Sequence, residues 1–328
     1  MNKNQLTLIV ILGLVIGGAG LYVMRNRQSS YTNRDQQMGE KLLKDYDINS
    51  VATLRIQNSS NQVNLAKVGD TWTVVERNGY PANFGSLKDF LSKHWDLKIT
   101  KAVRVGPSRL APLQLVPPDK NGSGTLVEFK DSSGKTTKTL LLGAQHVRES
   151  SGESPMGMGG DSSWPDGRYV MVDGRTESVA LVSDPLSQAE ARAQNWIGKD
   201  WFKAEKLKAI SVVSTNATND FKLTRESETG TWKLVDAKPG EELDSGKSSS
   251  VTSAMSYPSF NDVATNDAPA ETGLDKPLRA TIETFDNFTY AFKIGNKTAD
   301  DNYFFQVAVT ATIPKERTAP ADEKAEDK

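Results

Sequence analysis

Cysteine is absent from this chain of 328 residues, and histidine occurs only at His94 and His146. The missing thiols exclude disulfide bonds, thiolate metal sites and cysteine nucleophiles. Two histidines disfavour a histidine-rich metal centre, although carboxylate sites remain open. Neither histidine belongs to a recognisable hydrolase or metalloprotease motif, and we expect His94 at the surface or at the edge of the core. The sequence therefore predicts a non-enzymatic protein, with no catalytic, cofactor-binding or metal-binding residue.

An excess of charge of either sign is also missing. Lysine plus arginine number 40 and aspartate plus glutamate number 41, which gives a net charge of −1. A chain without a basic excess has no general attraction to nucleic acid. We therefore expect no nucleic-acid partner.

A phosphate-binding loop is lacking, although Gly246-Lys247-Ser248 resembles the end of one. The motif G-x-x-x-x-G-K-[ST] has four residues between its glycines, so that backbone N–H groups surround the phosphates. Here five residues separate Gly240 from Gly246, and three of them are acidic and would repel a phosphate. We predict no nucleotide binding and interpret the stretch as the entry of a helix with Ser245 as its N-cap.

Charge is missing locally as well, because the 21 residues between Lys3 and Arg25 contain none. An α-helix over residues 5–24 would span about 30 Å, the thickness of the hydrocarbon core of a bilayer. A cleavable secretory signal is the alternative, with Gly18 and Gly20 as small residues for a peptidase. Its apolar region is usually shorter, however, and no A-x-A site is present. The sequence predicts an uncleaved transmembrane anchor that contacts the lipid bilayer through residues 5–24.

The flanking charges and two glycines bear on orientation and helix packing. Three arginines follow the segment and one lysine precedes it, which favours a cytoplasmic C-terminal part. Long domains translocate despite such charges, however, and a four-residue tail most simply stays inside. We therefore predict a single-pass protein of the bacterial inner (cytoplasmic) membrane whose C-terminal domain is exported to the periplasm. Gly13 and Gly17 form a G-x-x-x-G pattern that lets two membrane helices approach closely, unless they only reflect the frequency of glycine in such helices.

The rest of the chain contains one order of patterns twice. Residues 51–78 alternate apolar and polar positions, residues 82–97 have helical spacing, and further strand-like runs follow. Trp232 comes 160 residues after Trp72, and the same order recurs around it. The predicted fold is α+β: an N-terminal transmembrane helix followed by two tandem duplicated units, each an antiparallel sheet with a helix packed on it.

The predicted boundaries follow the changes of pattern along the chain. In chain order they are a short tail (1–4), the transmembrane anchor (5–24), a linker (25–47), the first α+β unit (48–183), a connecting helical segment (184–207), the second α+β unit (208–313) and a disordered charged tail (314–328). The connecting segment is assigned as helical because Asp184 could cap it and Leu186, Ala189 and Ala193 could form its inner stripe.

Residues 149–167 are rich in glycine, serine and proline and are predicted to form a mobile loop in the first unit. Trp164 in this loop is a candidate interaction residue, together with Met156 and Met158. The alternative is that Trp164 folds back onto the sheet. Two thioethers without histidine or cysteine are weak ligands, so we expect no soft-metal site there.

Six short motifs connect the chain to a known family. They are "DTWTVV", "LQLVPP" and "LLLG" in the first half, and "GTWKLV", "TGLDKP" and "FKIG" in the second. Over about residues 48–313 their order resembles the bacterial family named domain of unknown function 4340. The first turn departs from the usual Gly-Leu form of that family, because Gln114-Leu115 stands there. The resemblance implies no catalytic residues. Some members resemble accessory subunits of ABC transporters of the gliding-motility type, which implies a role in the cell envelope.

Two hypotheses of function follow. The favoured one is a non-enzymatic, membrane-anchored cell-envelope protein that acts by binding. Its partner would be a membrane protein, as for an accessory component of an ABC-transporter-like or surface-assembly complex. The alternative is a module that binds envelope glycans or peptides, and a hydrolase is a distant third.

Overall fold

The computed structural model describes residues 38–44, 46–149, 163–215, 219–235, 237–256, 258–265 and 268–312. The predicted membrane segment with Gly13 and Gly17, most of the predicted linker and the predicted charged tail lie outside these residues. Within the described ranges, no helix is both long enough and apolar enough to cross a membrane. The chain divides into two compact units, residues 1–198 and 199–328.

The elements of the first unit are β1 (Thr53–Gln57), β2 (Gln62–Val68), β3 (Thr71–Val74), β4 (Tyr80–Pro81), α1 (Phe84–Asp96), β5 (Ile99–Ala102), α2 (Pro107–Leu110), β6 (Thr125–Lys130), β7 (Thr136–Glu149), β8 (Ser163–Val172) and β9 (Val179–Val182). Those of the second unit are β10 (Leu207–Val213), β11 (Phe221–Thr224), β12 (Lys233–Leu234), α3 (Ser245–Ser256), α4 (Pro269–Thr272), β13 (Leu278–Thr284), β14 (Phe288–Lys297) and β15 (Tyr303–Ala311).

Each unit is built on one antiparallel sheet. The first has nine strands in the order β4-β3-β2-β1-β6-β7-β8-β9-β5, and the second has six in the order β12-β11-β10-β13-β14-β15. Every pair of neighbouring strands runs antiparallel. The prediction of antiparallel sheets is confirmed, and the described chain is rich in strands with few helices.

Alternating apolar residues make the core of the first sheet. Leu54 and Ile56 of β1 are fully buried, and so are their partners Leu65 and Val63 on β2. Phe129 of β6, opposite Leu54 on the other side, is also fully buried. Because cross-strand partners share a face and side chains alternate along a strand, these residues form one apolar face of the sheet.

Helix α1 packs against this face. Asn83 precedes the helix and caps its first turn through its side-chain oxygen. Leu87, Phe90 and His94, at i, i+3 and i+7, form the buried side of the helix. The ring centre of His94 lies 6.0 Å from that of Phe129. The helical register therefore carries a histidine into the core.

The expectation that His94 lies at the surface or the core edge is wrong. His94 is 1% exposed, whereas its neighbour Trp95 is 44% exposed. Trp95 lies on the outer side of α1, where the Nζ of Lys41 stands 3.1 Å from the centre of its ring. The register of Leu87 and Phe90 decides this outcome, because one turn after Phe90 comes His94 and not Trp95.

The predicted connecting helix over residues 184–207 does not form, although the structure describes this whole segment. Its one helical turn is a 3₁₀ turn at Ala193–Asn195. Asp184 accepts a hydrogen bond from the N–H of Leu186 (2.7 Å), and Leu186 has a φ of 51°, which an α-helix does not allow. Alternate residues from 189 to 193 are buried, as in an extended segment. Packing has overridden the helix propensity of alanine.

Large apolar side chains also fill the core of the second unit. Ile210 of β10 and Ile282 of β13 are fully buried and lie opposite each other. Phe202 stacks on Tyr290 of β14 with ring centres 5.1 Å apart. Val251 of α3 packs against the same cluster. Here too a helix contributes to the core beside the sheet.

Several glycines permit a close approach of the backbone, among them Gly143 in the first sheet and Gly295 in the second. A Cβ atom at Gly143 of β7 would overlap the carbonyl oxygen of Leu113. A Cβ atom at Gly295 of β14 would overlap the carbonyl oxygen of Thr272. Each obstacle is a backbone atom, so no side-chain rotation can relieve it, and glycine is required at both positions.

Candidate functional site

The hairpin of β7 and β8 extends beyond the other strands of its sheet. β7 pairs with β6 as far as Leu142, and β8 pairs with β9 as far as Arg168. Past these residues the strands pair, within the described chain, only with each other, over residues 145–149 and 163–167. We call this segment the β7–β8 ribbon. Residues 150–162, which join its two strands, lie outside the described residues.

Arg168 fixes the base of the β7–β8 ribbon. Its Nε donates a hydrogen bond to the carbonyl oxygen of Gly143 (2.8 Å), and Nη1 donates to that of Leu186 (3.3 Å). Burial of the guanidinium lowers the pKa of Arg168 from its usual value. The side chain thus ties β7, β8 and the extended segment after Asp184 together where the ribbon begins.

Trp164 and Arg148 lie opposite each other on one face of the ribbon. Trp164 is 47% exposed, so it does not fold back into the core, and Arg148 is exposed as well. Val147 and Pro165 form the neighbouring pair on the other face, and Val147 is 48% exposed. An indole beside a guanidinium presents apolar area, an N–H donor and a cation within one cross-strand pair.

A β-bulge places a histidine and an aspartate beside this pair. His146 pairs with Gly167 and Val147 pairs with Pro165, so Asp166 is the extra residue. The Nδ1–H of His146 donates to the Asp166 carboxylate over 2.6 Å. Acyl transfer would also need a nucleophile within reach of the imidazole. Asp166 is the one hydrogen-bond partner that the described residues provide for His146.

Of the three candidate interaction residues, the structure describes Trp164. Trp164 lies in a strand, because β8 begins at Ser163. The predicted loop over residues 149–167 is therefore wrong for its first position, which ends β7, and for its last five positions. Pairing with β7 supplies the backbone partners that the turn-rich local composition did not predict. Met156 and Met158 lie outside the described residues.

Arg148 and the His146–Asp166 contact escaped the sequence analysis. Residues 145–149 contain a single apolar residue, Val147, so their sequence has no alternation that would predict the continuation of β7. The partner of each residue could not be read from it, because the bulge at Asp166 shifts the register by one residue.

His94 is not available for chemistry. Its burial lowers the pKa to about 4, so the imidazole is neutral at pH 7. Its Nδ1–H donates to the carbonyl oxygen of Phe90 (2.7 Å) one turn earlier. A loss of function in His94→Ala would therefore report a damaged core and would not favour an enzyme. The described residues also contain no group of three or more metal-ligating side chains.

The stretch Gly246-Lys247-Ser248 begins a helix, with Asp244 as its cap rather than Ser245. The Asp244 carboxylate accepts hydrogen bonds from the N–H groups of Gly246 (2.9 Å) and Lys247 (3.0 Å). These bonds, above all the one from Lys247, hold the pKa of the carboxyl below its usual value. The amides that a phosphate would need at the start of α3 are therefore already used by a negative side chain.

The family comparison covers both units. The family model described as "Domain of unknown function (DUF4340)" matches residues 72–277, which is more than half of the chain. The chain belongs to this family. The DUF4340 match begins at Trp72 of β3 and runs through both strands of the β7–β8 ribbon. It lies inside the span of residues 48–313 over which the resemblance was expected. No curated protein and no solved structure matches the chain.

Proposed function

We propose that this DUF4340 chain is a non-enzymatic, membrane-anchored protein of the bacterial cell envelope that acts by binding. Its partner is a membrane protein, in the manner of an accessory component of an ABC-transporter-like or surface-assembly complex. The observation that carries the binding role is the β7–β8 ribbon, with Trp164 half exposed opposite Arg148. The uncharged N-terminal run of the sequence supports the anchor.

The composition of the ribbon supports a contact surface. Tryptophan and arginine are among the residue types that most often dominate binding energy at interfaces. Trp164 projects from a paired strand, so little conformational freedom of the backbone is lost when a partner binds. The bulge at Asp166 adds a carboxylate two residues from Trp164 on the same strand, which suits a partner surface with mixed polarity.

The anchor predicts a simple fractionation result. Full-length protein should remain in the membrane pellet after carbonate extraction, because residues 5–24 are long enough to span the bilayer. Removal of residues 1–28 should move the protein into the soluble fraction. The opposite result for the full-length chain, or a mature N-terminus near Ser29, would contradict an uncleaved anchor. An externally added protease acting on spheroplasts tests export, since only a periplasmic C-terminal domain is cleaved.

We also infer that the two units arose by duplication. The order β3-β2-β1-β6-β7-β8 in the first sheet has the same connectivity as β12-β11-β10-β13-β14-β15 in the second. Trp72 lies two residues before Val74, which pairs with β2. Trp232 likewise lies two residues before Leu234, which pairs with β11. The two tryptophans therefore take corresponding register positions.

Gly143 and Gly295 support the same inference. Gly143 directly follows Leu142, the residue of β7 that pairs with the first residue of β6. Gly295 directly follows Ile294, the residue of β14 that pairs with the first residue of β13. Gly143 lies against a carbonyl group just after the short helix α2, and Gly295 lies against the carbonyl group of the last residue of the short helix α4. An experimental structure that put these glycines on strands of different connectivity would refute the duplication.

The binding role is tested by truncating the ribbon in the full-length chain. Trp164→Ala and Arg148→Ala should each reduce recovery of the membrane-protein partner from detergent-solubilised membranes by about tenfold or more, as the loss of an interface hot spot does. Because both side chains are exposed, the midpoint of thermal unfolding should stay unchanged. Recovery is measured by quantitative mass spectrometry after affinity purification from the cells that make the protein.

Trp95→Ala is the matched control, because Trp95 has nearly the same exposure, 44% against 47% for Trp164. If the partner is recovered equally well with Trp164→Ala and with Trp95→Ala, the ribbon is not the contact surface. Binding of the purified wild-type chain to isolated cell-wall polymer, without any membrane-protein partner, would instead favour the module for envelope glycans or peptides.

A further inference from the structure

Strand β15 closes the second sheet with an open edge. In the described chain its one partner is β14, with which it pairs from Tyr303 to Ala311. Its nine residues, YFFQVAVTA, include no charge and no proline. Such a strand presents a row of free backbone N–H and C=O groups, and it pairs readily with a strand of another chain.

The other sheet edges are covered or short. At edge strand β4, the Gly198 N–H donates to the carbonyl oxygen of Pro81 (2.9 Å). At edge strand β5, Ile99 accepts from the Gly39 N–H (2.8 Å) and donates to the Glu40 carbonyl oxygen (2.9 Å). Edge strand β12 is two residues long. These are the ordinary protections of an edge strand, and β15 has none of them among the residues that the structure describes.

The sequence that follows β15 is poorly suited to cover it. Residues 313–328 contain two prolines, and nine of these sixteen residues are charged. Proline cannot donate a hydrogen bond to a neighbouring strand, and a run of charges would not pack beside Val307 and Val309. A strand from outside the chain is the better match for this edge.

The residue sizes along β15 favour a second copy of the same strand. The strand begins with aromatic residues and ends with small ones. In an antiparallel pair centred on Val307, Tyr303 lies opposite Ala311 and Phe305 lies opposite Val309, so that large residues face small ones. Aromatic and β-branched partners stabilise such pairs. The absence of charge means that two copies meet without repulsion.

We propose that β15 pairs antiparallel with β15 of a second copy, about a two-fold axis near Val307. The pairing joins the two sheets into one continuous sheet and covers Val309 and Tyr303, which are 47% and 55% exposed in the single chain. A two-fold contact of this kind is closed, so the assembly stops at a dimer. The proposal goes beyond the binding role above and does not depend on the β7–β8 ribbon.

Cysteine crosslinking in the full-length chain tests the arrangement, because the chain has no cysteine of its own. Tyr303→Cys and Ala311→Cys, carried by two differently tagged copies in the same cells, should form a disulfide-linked dimer on mild oxidation. Either variant alone should not, because the two copies of one end residue lie roughly 25 Å apart in the antiparallel pair. Self-crosslinking of each single variant would indicate a parallel pair and overturn the proposal.

A charge on the strand should separate the copies. Adding Val309→Lys to both tagged copies should lower the crosslinked fraction about tenfold, because each lysine then lies opposite the apolar Phe305 of the other copy and its charge is removed from water. Val213→Lys is the control, since Val213 is equally exposed (49%) but lies on the interior strand β10. Crosslinking that persists with Val309→Lys, while thermal unfolding stays unchanged, would overturn the proposal.

The crosslink, rather than molecular mass, identifies the surface, because the predicted membrane helix with Gly13 and Gly17 could also associate. If no crosslink forms in the mixed copies, β15 does not pair with itself and the proposal fails. Removal of residues 313–328 then identifies the occupant: a crosslink that forms only after this removal shows that the chain's own tail covers the edge.

Discussion

Replacing Trp72 by alanine should lower the free energy of unfolding of the first unit by about 3–5 kcal/mol, the cost of deleting a buried aromatic side chain. Trp72 is 8% exposed on β3, and its backbone oxygen accepts the Ala82 N–H (2.8 Å), so the strand stays in place around the cavity. Urea denaturation of the full-length chain, followed by hydrogen exchange of the first unit, measures the loss. This is the largest stability effect that we expect from a single substitution.

Trp232→Ala is the informative comparison. The matching places of the two tryptophans in the repeated pattern would give equal costs if both were core residues. Trp232 is only partly buried, however, and the guanidinium of Arg225 stands 5.0 Å from its ring centre. Solvent can fill part of the space that the indole leaves, so we expect a cost of about 1–2 kcal/mol in the second unit. Equal losses in both units would contradict the difference in burial.

Acidification should destabilise the first unit through His94. The pKa of this imidazole is lowered to about 4 by burial; the hydrogen bond to Phe90 and the charge of Asp184 oppose the shift, and Lys93 and Arg168 add to it. Its Nε2 has no hydrogen-bond partner among the described residues, so a proton there would be a charge in apolar surroundings. Between pH 6.5 and pH 4 the unfolded chain binds this proton and the native chain does not. The stabilisation is therefore complete above pH 6.5 and is lost as the pH falls to about 4.

The expected loss is about 3 kcal/mol over this interval, from the difference between the two pKa values. His94→Leu removes the titrating group and keeps an apolar side chain of similar size. The difference in unfolding free energy between wild type and His94→Leu should thus shrink or reverse in favour of the variant as the pH falls from 7 to 4. His146→Ala, which leaves His94 in place, should keep the wild-type loss. A difference between wild type and His94→Leu that is constant with pH would refute the assignment.

The strands of both units could largely be predicted, because alternation is a local signal. Leu54 and Ile56, and Val63 and Leu65, are spaced by two in the sequence and share one face in the sheet. The family was recognised from short motifs for the same reason, since each is contained within a few residues. Trp164 was singled out as a candidate interaction residue with folding back onto the sheet as the alternative, and its side chain is 47% exposed.

The structure decided what depends on contacts between distant residues. The sequence analysis expected His94 outside the core, whereas the register of Leu87 and Phe90 on the packed helix buries His94 and leaves Trp95 exposed. Residues 184–198 have alanines typical of a helix, but their burial at alternate positions required an extended segment.

The β7–β8 ribbon and strand β15 also combine a local sequence pattern with an arrangement that depends on distant residues. The candidate residues of the β7–β8 ribbon are local, but the pairing of Arg148 with Trp164 depends on a register that the bulge at Asp166 sets. The composition of β15 is equally visible in the sequence, yet only the strand order makes it an edge strand. Sequence by itself determined the strands, the family and the uncharged N-terminal run, because each follows from neighbouring residues. Tertiary structure alone decided which side chains are buried and which strand is left open, because these follow from pairings between residues far apart in the chain.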